Sequence, residues 1–192
     1  MDTLKKVDPP LNIPNQLTIS RLILAFIIMY CLNANTPLSN ISALILFILA
    51  AITDAVDGFL ARNVYGCSTF GKLMDPLADK VLLAIVFIGL IEHNSIQAWM
   101  TAVIIARELM VTGLRLLLIE KNVILSADRI GKLKTIIQMS AAILYLSGLY
   151  WQDTVWLPTP NCLLANIVGL IVVFITVVSG ISYFYSYRKY II

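Results

Sequence analysis

The chain has 192 residues, 59% of them hydrophobic and 13% charged, with a net charge of +3 and a mean hydropathy of +0.88. That balance excludes a soluble globular domain and fits a multi-span membrane protein surrounded by membrane lipids; no nucleic-acid partner is expected. At ~20 residues per span plus short connections, six helices use nearly all of the length and leave one domain.

Residues 1–14 mix Lys5, Lys6, Asp2 and Asp8 with Leu4, Leu11 and Ile13 and are broken by Pro9, Pro10 and Pro14. This stretch is too short and too charged for a secretory signal and reads as an interfacial juxtamembrane lead-in. Residues 15–192 then form the transmembrane domain. Asn15 is placed to cap a first span that runs to about Leu32. A second span, about Leu38 to Ala61, carries Asp54 and Asp57 in its last two turns, and a third from about Gly71 carries Asp75 and Asp79 in its first turns. The fourth, about Ile96 to Ile119, contains Arg107, Glu108 and Arg115. The fifth, Gly131 to about Tyr150, opens with Lys132 and Lys134, and the sixth, about Leu163 to Tyr185, ends in Arg188 and Lys189. The expected fold is an all-α integral membrane protein of six transmembrane helices.

Cys31, Cys67 and Cys162 lie far apart and make no Cys-x2-Cys pair, so neither a zinc site nor a disulfide framework is expected and they read as small apolar fillers. His93 falls in a short polar connection and reads as a solvated loop residue.

The basic residues set an orientation. With the N-terminus inside, the outer connections are 33–37, 92–97 and 151–162, and none contains Lys or Arg. This asymmetry predicts an N-in, C-in protein, with Trp99, Trp151 and Trp156 near the outer interface and all four aspartates near the cytoplasmic surface.

Residues three apart on a helix differ by roughly 60° and residues four apart by roughly 40°, so Asp54 and Asp57 share one face and Asp75 and Asp79 another. The two pairs can meet across a helical hairpin. Four converging carboxylates demand positive charge among them, and an all-oxygen set suits Mg2+ or Mn2+. Gly58 and Gly71 are positions where a helix or a ligand can come close. The alternative is a set of solvated acids at helix ends. An acid at the centre of a membrane span costs ~2.5–3.5 kcal/mol, which favours a functional site.

A second constellation is basic. Arg107 lies about halfway along its span, Arg115 two turns later on a similar side, and Lys132 and Lys134 could close a common pocket from the next helix. One reading is a phosphate site. The other pairs Arg107 with Glu108 or an aspartate and leaves the remaining cations as interfacial anchors.

The run Asp54-x2-Asp57-Gly58-x2-Ala61-Arg62-x8-Gly71-x3-Asp75-x3-Asp79 resembles the signature of the CDP-alcohol phosphotransferases, with every fixed position present. The resemblance implies a membrane enzyme that transfers a phosphatidyl group from a CDP-linked lipid such as CDP-diacylglycerol to an alcohol, releasing CMP. It implies two divalent cations, Mg2+ or Mn2+, bridged by Asp54 and Asp75, with Asp57 completing one site and Asp79 the other. It also makes Asp79 the general base. By the same resemblance Gly58, Arg62 and Ser68 contact the CDP part, Asn15 and Thr18 lie nearby, and Ala61 and Gly71 belong to the same CDP-lipid-binding motif. The segments Asn15-x2-Thr18-x2-Arg21, Ile105-Ala-Arg107-Glu108, Thr112-Gly-Leu-Arg115 and Gly131-Lys132-Leu-Lys134-Thr135 resemble the family's bacterial members whose acceptor is sn-glycerol 3-phosphate. That likeness implies an acceptor-phosphate site at Arg107, Arg115, Lys132 and Lys134, a bacterial cytoplasmic membrane location and a homodimer. Two alternatives stay open: another transferase of the family, such as a CDP-type cardiolipin synthase, and a divalent-cation transporter. Carboxylates clustered at one end of apolar spans weigh against the transporter.

Overall fold

Six α-helices and a closing 3-10 turn account for the regular structure in the computed structural model, which describes residues 13–60, 69–121, 129–151 and 158–190. The helices are α1 (Ile13–Ala34), α2 (Pro37–Leu60), α3 (Thr69–Glu92), α4 (Ala98–Glu120), α5 (Arg129–Tyr150) and α6 (Leu163–Tyr187), followed by the turn Arg188–Tyr190. The described residues contain no strand. Side chains are described for 19–53, 77–118, 121, 131–151 and 158–189.

The helix ends follow from local chemistry. Pro37 occupies the first position of α2, where its missing N–H costs nothing. Around it Thr36 and Ser39 cap each other: Ser39 N donates to Thr36 Oγ1 at 3.2 Å and Thr36 N to Ser39 Oγ at 2.9 Å. Cys162 is the N-cap of α6, its Sγ accepting from Ala165 N, so this cysteine has a role beyond filling space. Asn35, Asn94 and Asn161 sit at φ 48°, 56° and 61°, the left-handed region that asparagine tolerates best among side-chain-bearing residues. Asn15 departs from expectation: it is the third residue of α1 and cannot be its cap. His93 is tied down as well, its Nε2–H donating to the Leu32 carbonyl at the end of α1.

Successive helices reverse direction. Arg21 meets Asp79 and Leu32 meets Gly89, so α1 and α3 run parallel. Asn40 Nδ2 donates to the Leu149 carbonyl, which sets α2 antiparallel to α5. Gln138 bonds Thr176 and Tyr145 bonds the Ala165 carbonyl, setting α5 antiparallel to α6. Met100 lies against Gly169 and Arg107 against Gly180, so α4 and α6 run parallel side by side. One end of the bundle thus gathers the starts of α1, α3 and α5 and the ends of α2, α4 and α6.

The packed interior runs through Ile28 and Leu32 of α1, Phe47 of α2, Val86 and Phe87 of α3, Met100 of α4 and Tyr145 and Leu146 of α5. Charged and polar groups are buried with it, including Arg21, Arg107, Lys134, Gln138 and Thr176, while Phe26, Tyr30, Leu109, Leu163, Phe174 and Ile181 face outward. Among the described residues one helix, Leu163–Tyr187, is long and apolar enough to cross a membrane on length and composition, with a mean hydropathy of 2.5 over its best window. Ile19–Ala34 and Pro37–Thr53 are shorter apolar stretches within the described side chains, while α3 holds Asp79 and Lys80, α4 holds Arg107, Glu108 and Arg115, and α5 holds Lys132 and Lys134.

Candidate active site

Asp79 lies in the third turn of α3 and accepts from Arg21 Nη1 of α1 at 2.8 Å. Arg21 is 2% exposed and the Asp79 side chain 33%, so a buried guanidinium holds a carboxylate that still reaches outward. Such a charge-assisted bond fixes the direction of the acid, since burying the arginine without an anion would be costly. Asp75 lies one turn earlier on α3, and Asp54 and Asp57 lie in the last two turns of α2, which end at the same side of the bundle.

The next residue, Lys80, reaches across to α4. Its Nζ donates to Thr112 Oγ1 on α4, and that hydroxyl donates to the Glu108 carbonyl at 2.6 Å. Glu108 is the hub of the second constellation. One of its carboxylate oxygens accepts from Arg107 Nη1 at 3.1 Å and from Lys134 Nζ of α5. Arg107 Nη2 also donates to Ser179 Oγ of α6 at 2.7 Å. This side chain can lie across α6 because Gly180 is there: a Cβ at that position would sit 3.1 Å from Arg107 Cγ.

These groups surround a cavity of about 290 Å3 lined by Lys80, Arg107, Arg115, Lys132 and Lys134, with Glu108 as its acid. Five cations against one anion leave a formal surplus of four positive charges. Arg107 and Lys134 are buried at its base and Arg115 and Lys132 exposed at its rim. Tyr183, also lining it, has a buried hydroxyl without a hydrogen-bond partner among the described residues. A small, strongly cationic recess with an unspent hydroxyl suits a multiply charged anion.

Four residues foreseen from sequence, Arg107, Arg115, Lys132 and Lys134, are therefore brought to one cavity by two helices. Arg107 does take Glu108 as partner, as the structural alternative requires, and the pair lines the cavity together. Lys80, the residue after Asp79, lines the same recess. Ala61, Arg62, Ser68, Cys67 and Trp156 lie outside the described residues, and so do the side chains of Asn15, Thr18, Asp54, Asp57 and Asp75. Gly58 and Gly71 lie within helical backbone, near the end of α2 and the start of α3. Sequence reading passed over the Arg21–Asp79 pair, Ser179 and Tyr183. Their signal is faint but present: a Ser-Gly step at 179–180 interrupts the most apolar helix, and two tyrosines follow one turn apart.

Residues 11–181 match the family model described as CDP-alcohol phosphatidyltransferase. The chain is 35% identical over 179 residues to a CDP-diacylglycerol–glycerol-3-phosphate 3-phosphatidyltransferase of Rickettsia bellii, covering 93% of this chain and 97% of that one. It is 37% identical over 185 residues to the protein of the same name from Bacillus subtilis, with 90% and 93% covered. A third so named, from Wigglesworthia glossinidia brevipalpis, is 40% identical over 189 residues, with 94% and 93% covered.

Proposed function

The chain belongs to the CDP-alcohol phosphatidyltransferase family, and from that premise we propose that it transfers the phosphatidyl group of CDP-diacylglycerol to sn-glycerol 3-phosphate, giving phosphatidylglycerophosphate and CMP. The observation that carries the choice of acceptor is the cationic cavity that begins at Lys80, the residue after Asp79: donor chemistry at the aspartates leaves it unexplained, and a phosphomonoester dianion fits its charge and size. The relatives that share nearly the whole length carry the same activity in their names.

The chemistry proceeds by nucleophilic displacement at the lipid-side phosphorus of the diphosphate. Arg107 and Lys134 from the base of the cavity, and Arg115 and Lys132 from its rim, hold the acceptor phosphate. Lys80, which lines the cavity, follows Asp79 directly on α3, and a hydroxyl of the bound acceptor is directed toward the aspartates. Asp79, aimed by Arg21, takes the hydroxyl proton as the oxygen attacks, and the phosphorus–oxygen bond to CMP breaks. Four carboxylates form an all-oxygen donor set of the kind hard divalent cations take, and Asp79 already needs the buried Arg21 beside it. Asp54, Asp57, Asp75 and Asp79 would hold two such ions, Mg2+ or Mn2+, whose charge offsets that of the diphosphate and the departing CMP. Gly58, Ala61, Arg62, Ser68 and Gly71, with Asn15 and Thr18, complete the CDP-lipid site.

The six helices cross a bacterial cytoplasmic membrane with both termini and the charged end inside, residues 1–14 along its surface and 15–192 as one catalytic domain. Apolar side chains facing outward around buried arginines and a buried lysine support this placement, as does the absence of Lys and Arg from the three connections at the other end.

The test is CMP release by the purified full chain from CDP-diacylglycerol, with product mass, across glycerol 3-phosphate, glycerol, inositol phosphate and phosphatidylglycerol. Glycerol 3-phosphate should dominate and glycerol should be a very poor substrate, since it leaves the same cations unpaired. Equal use of glycerol and glycerol 3-phosphate would overturn the acceptor assignment.

A further inference from the structure

A groove of about 630 Å3 runs between the parallel helices α4 and α6 on the outer face of the bundle. Its walls are apolar, with Val103 and Met110 from α4 and Val177, Ile181 and Phe184 from α6. Met110 and Ile181 are 55% and 64% exposed, so the trough is open to whatever surrounds the helices. In a bilayer such a surface meets acyl chains, and an apolar trough alone would accept any of them.

Two arginines line its charged end. Arg188, at the end of α6, lines the groove and is itself held over the Tyr185 ring, its guanidinium carbon 4.4 Å from the ring centroid. Arg107 lines both this groove and the cationic cavity. Its Nη atoms are engaged by Glu108 and Ser179, whereas Nε, on the side of Gly180, has no hydrogen-bond partner among the described residues although Arg107 is only 8% exposed. The Arg188 guanidinium, exposed at the rim, offers a cation to an acidic oxygen where the trough approaches the charged end of the bundle, and the buried Arg107 adds positive charge behind the wall. The volume lies within the ~300–1,000 Å3 usual for organic ligands.

We propose that the α4–α6 groove binds an anionic phospholipid of the surrounding leaflet, one acyl chain lying along Val103, Met110, Val177 and Ile181 and the phosphate meeting Arg188. The groove opens on the outer face of the bundle and shares only the Arg107 wall with the cationic cavity. It rests on the bilayer placement proposed above and is independent of which acceptor the enzyme uses.

The full chain is reconstituted in phosphatidylcholine nanodiscs with a trace of either phosphatidylglycerol or phosphatidylcholine bearing the same diazirine-labelled tail. Crosslinked peptides are mapped by mass spectrometry, and CMP release is measured on the same preparations. The phosphatidylglycerol probe should label peptides spanning Val103–Met110 and Val177–Phe184 several-fold more than the phosphatidylcholine probe. Arg188→Gln should reduce that preference by about fivefold, the worth of one interfacial cation, with CMP release at saturating substrates unchanged. Val177→Trp, which fills the trough, should suppress labelling by both probes. Equal labelling by the two lipids, a preference that survives Arg188→Gln, or crosslinks that join the groove to a second copy of the chain would each overturn the proposal. Selective labelling in a preparation that releases no CMP would support the groove and sink the transferase reading alone; CMP release without selective labelling would do the reverse.

Discussion

The two ends of the bundle solve the same problem of polar groups among apolar helices in opposite ways. At one end asparagine and glutamine do the joining: Asn161 N donates to the Asn94 carbonyl at 3.1 Å, Gln97 Nε2 to Asn166 Oδ1 at 3.1 Å, and three asparagines take left-handed turns. No Lys or Arg occurs in the connections there. At the other end five cations face one acid in a single cavity, and a tyrosine hydroxyl is left without a partner. Neutral hydrogen bonds between amides close a structure; a surplus of like charge keeps one ready for something that arrives. The first end should therefore govern stability and the second should govern turnover.

The most severe way to break this division is to remove what the aspartates hold. EDTA should abolish CMP release, and Mg2+ or Mn2+ should restore it; full activity in chelator would end the two-metal reading. Next in size, Asp79→Asn should lower turnover by ~10^2–10^4-fold, the range for a lost general base, while CDP-diacylglycerol binding measured separately is largely kept. If binding fell in parallel with turnover, Asp79 would be chiefly a ligand. Arg107→Ala should raise the apparent KM for sn-glycerol 3-phosphate by about 10- to 100-fold, as expected for one charge-assisted contact, with the donor KM nearly constant. A donor KM that rose instead would move Arg107 to the nucleotide side. The smallest effect belongs to the amide end. Asn161→Ala should leave both KM values alone and cost ~1–2 kcal/mol of stability for the left-handed turn, a fall of a few degrees in Tm, whereas Asn161→Gly should be nearly neutral. An activity defect in Asn161→Ala with unchanged Tm would mean that the two ends are coupled.

Much of this architecture could be read from the chain because its signals are local. Helix bounds expected from hydropathy and turn residues fall within about two residues of those observed, since Pro37, Asn35, Asn94 and Cys162 mark them by chemistry that acts over a single turn. The aspartate run was legible for the same reason: its information lies in intervals of three and four residues. What could not be read is whatever depends on which helix lies beside which. Nothing in the spacing announces that Arg21 reaches Asp79 across 58 positions, that Ser179 receives Arg107 across 72, or that Gly180 makes room for it. Glu108 could be named as a partner for its neighbour, yet its second cation, Lys134, comes from another helix. Long-range neighbours are set by packing of apolar faces, and those faces are nearly featureless in a chain this hydrophobic.

The strict reversal of direction from helix to helix has a consequence for how this chain can change. The aspartates straddle the link between α2 and α3, while Arg107, Arg115, Lys132 and Lys134 come from the middle and end of α4 and the start of α5. A single helix gained or lost between those groups would deliver carboxylates and guanidiniums to opposite ends of the bundle and divide the site in two. Insertion or loss of a helical pair keeps both at the same end. The chain's length is thus quantised in hairpins across this stretch, by parity of helices rather than by any contact within the site.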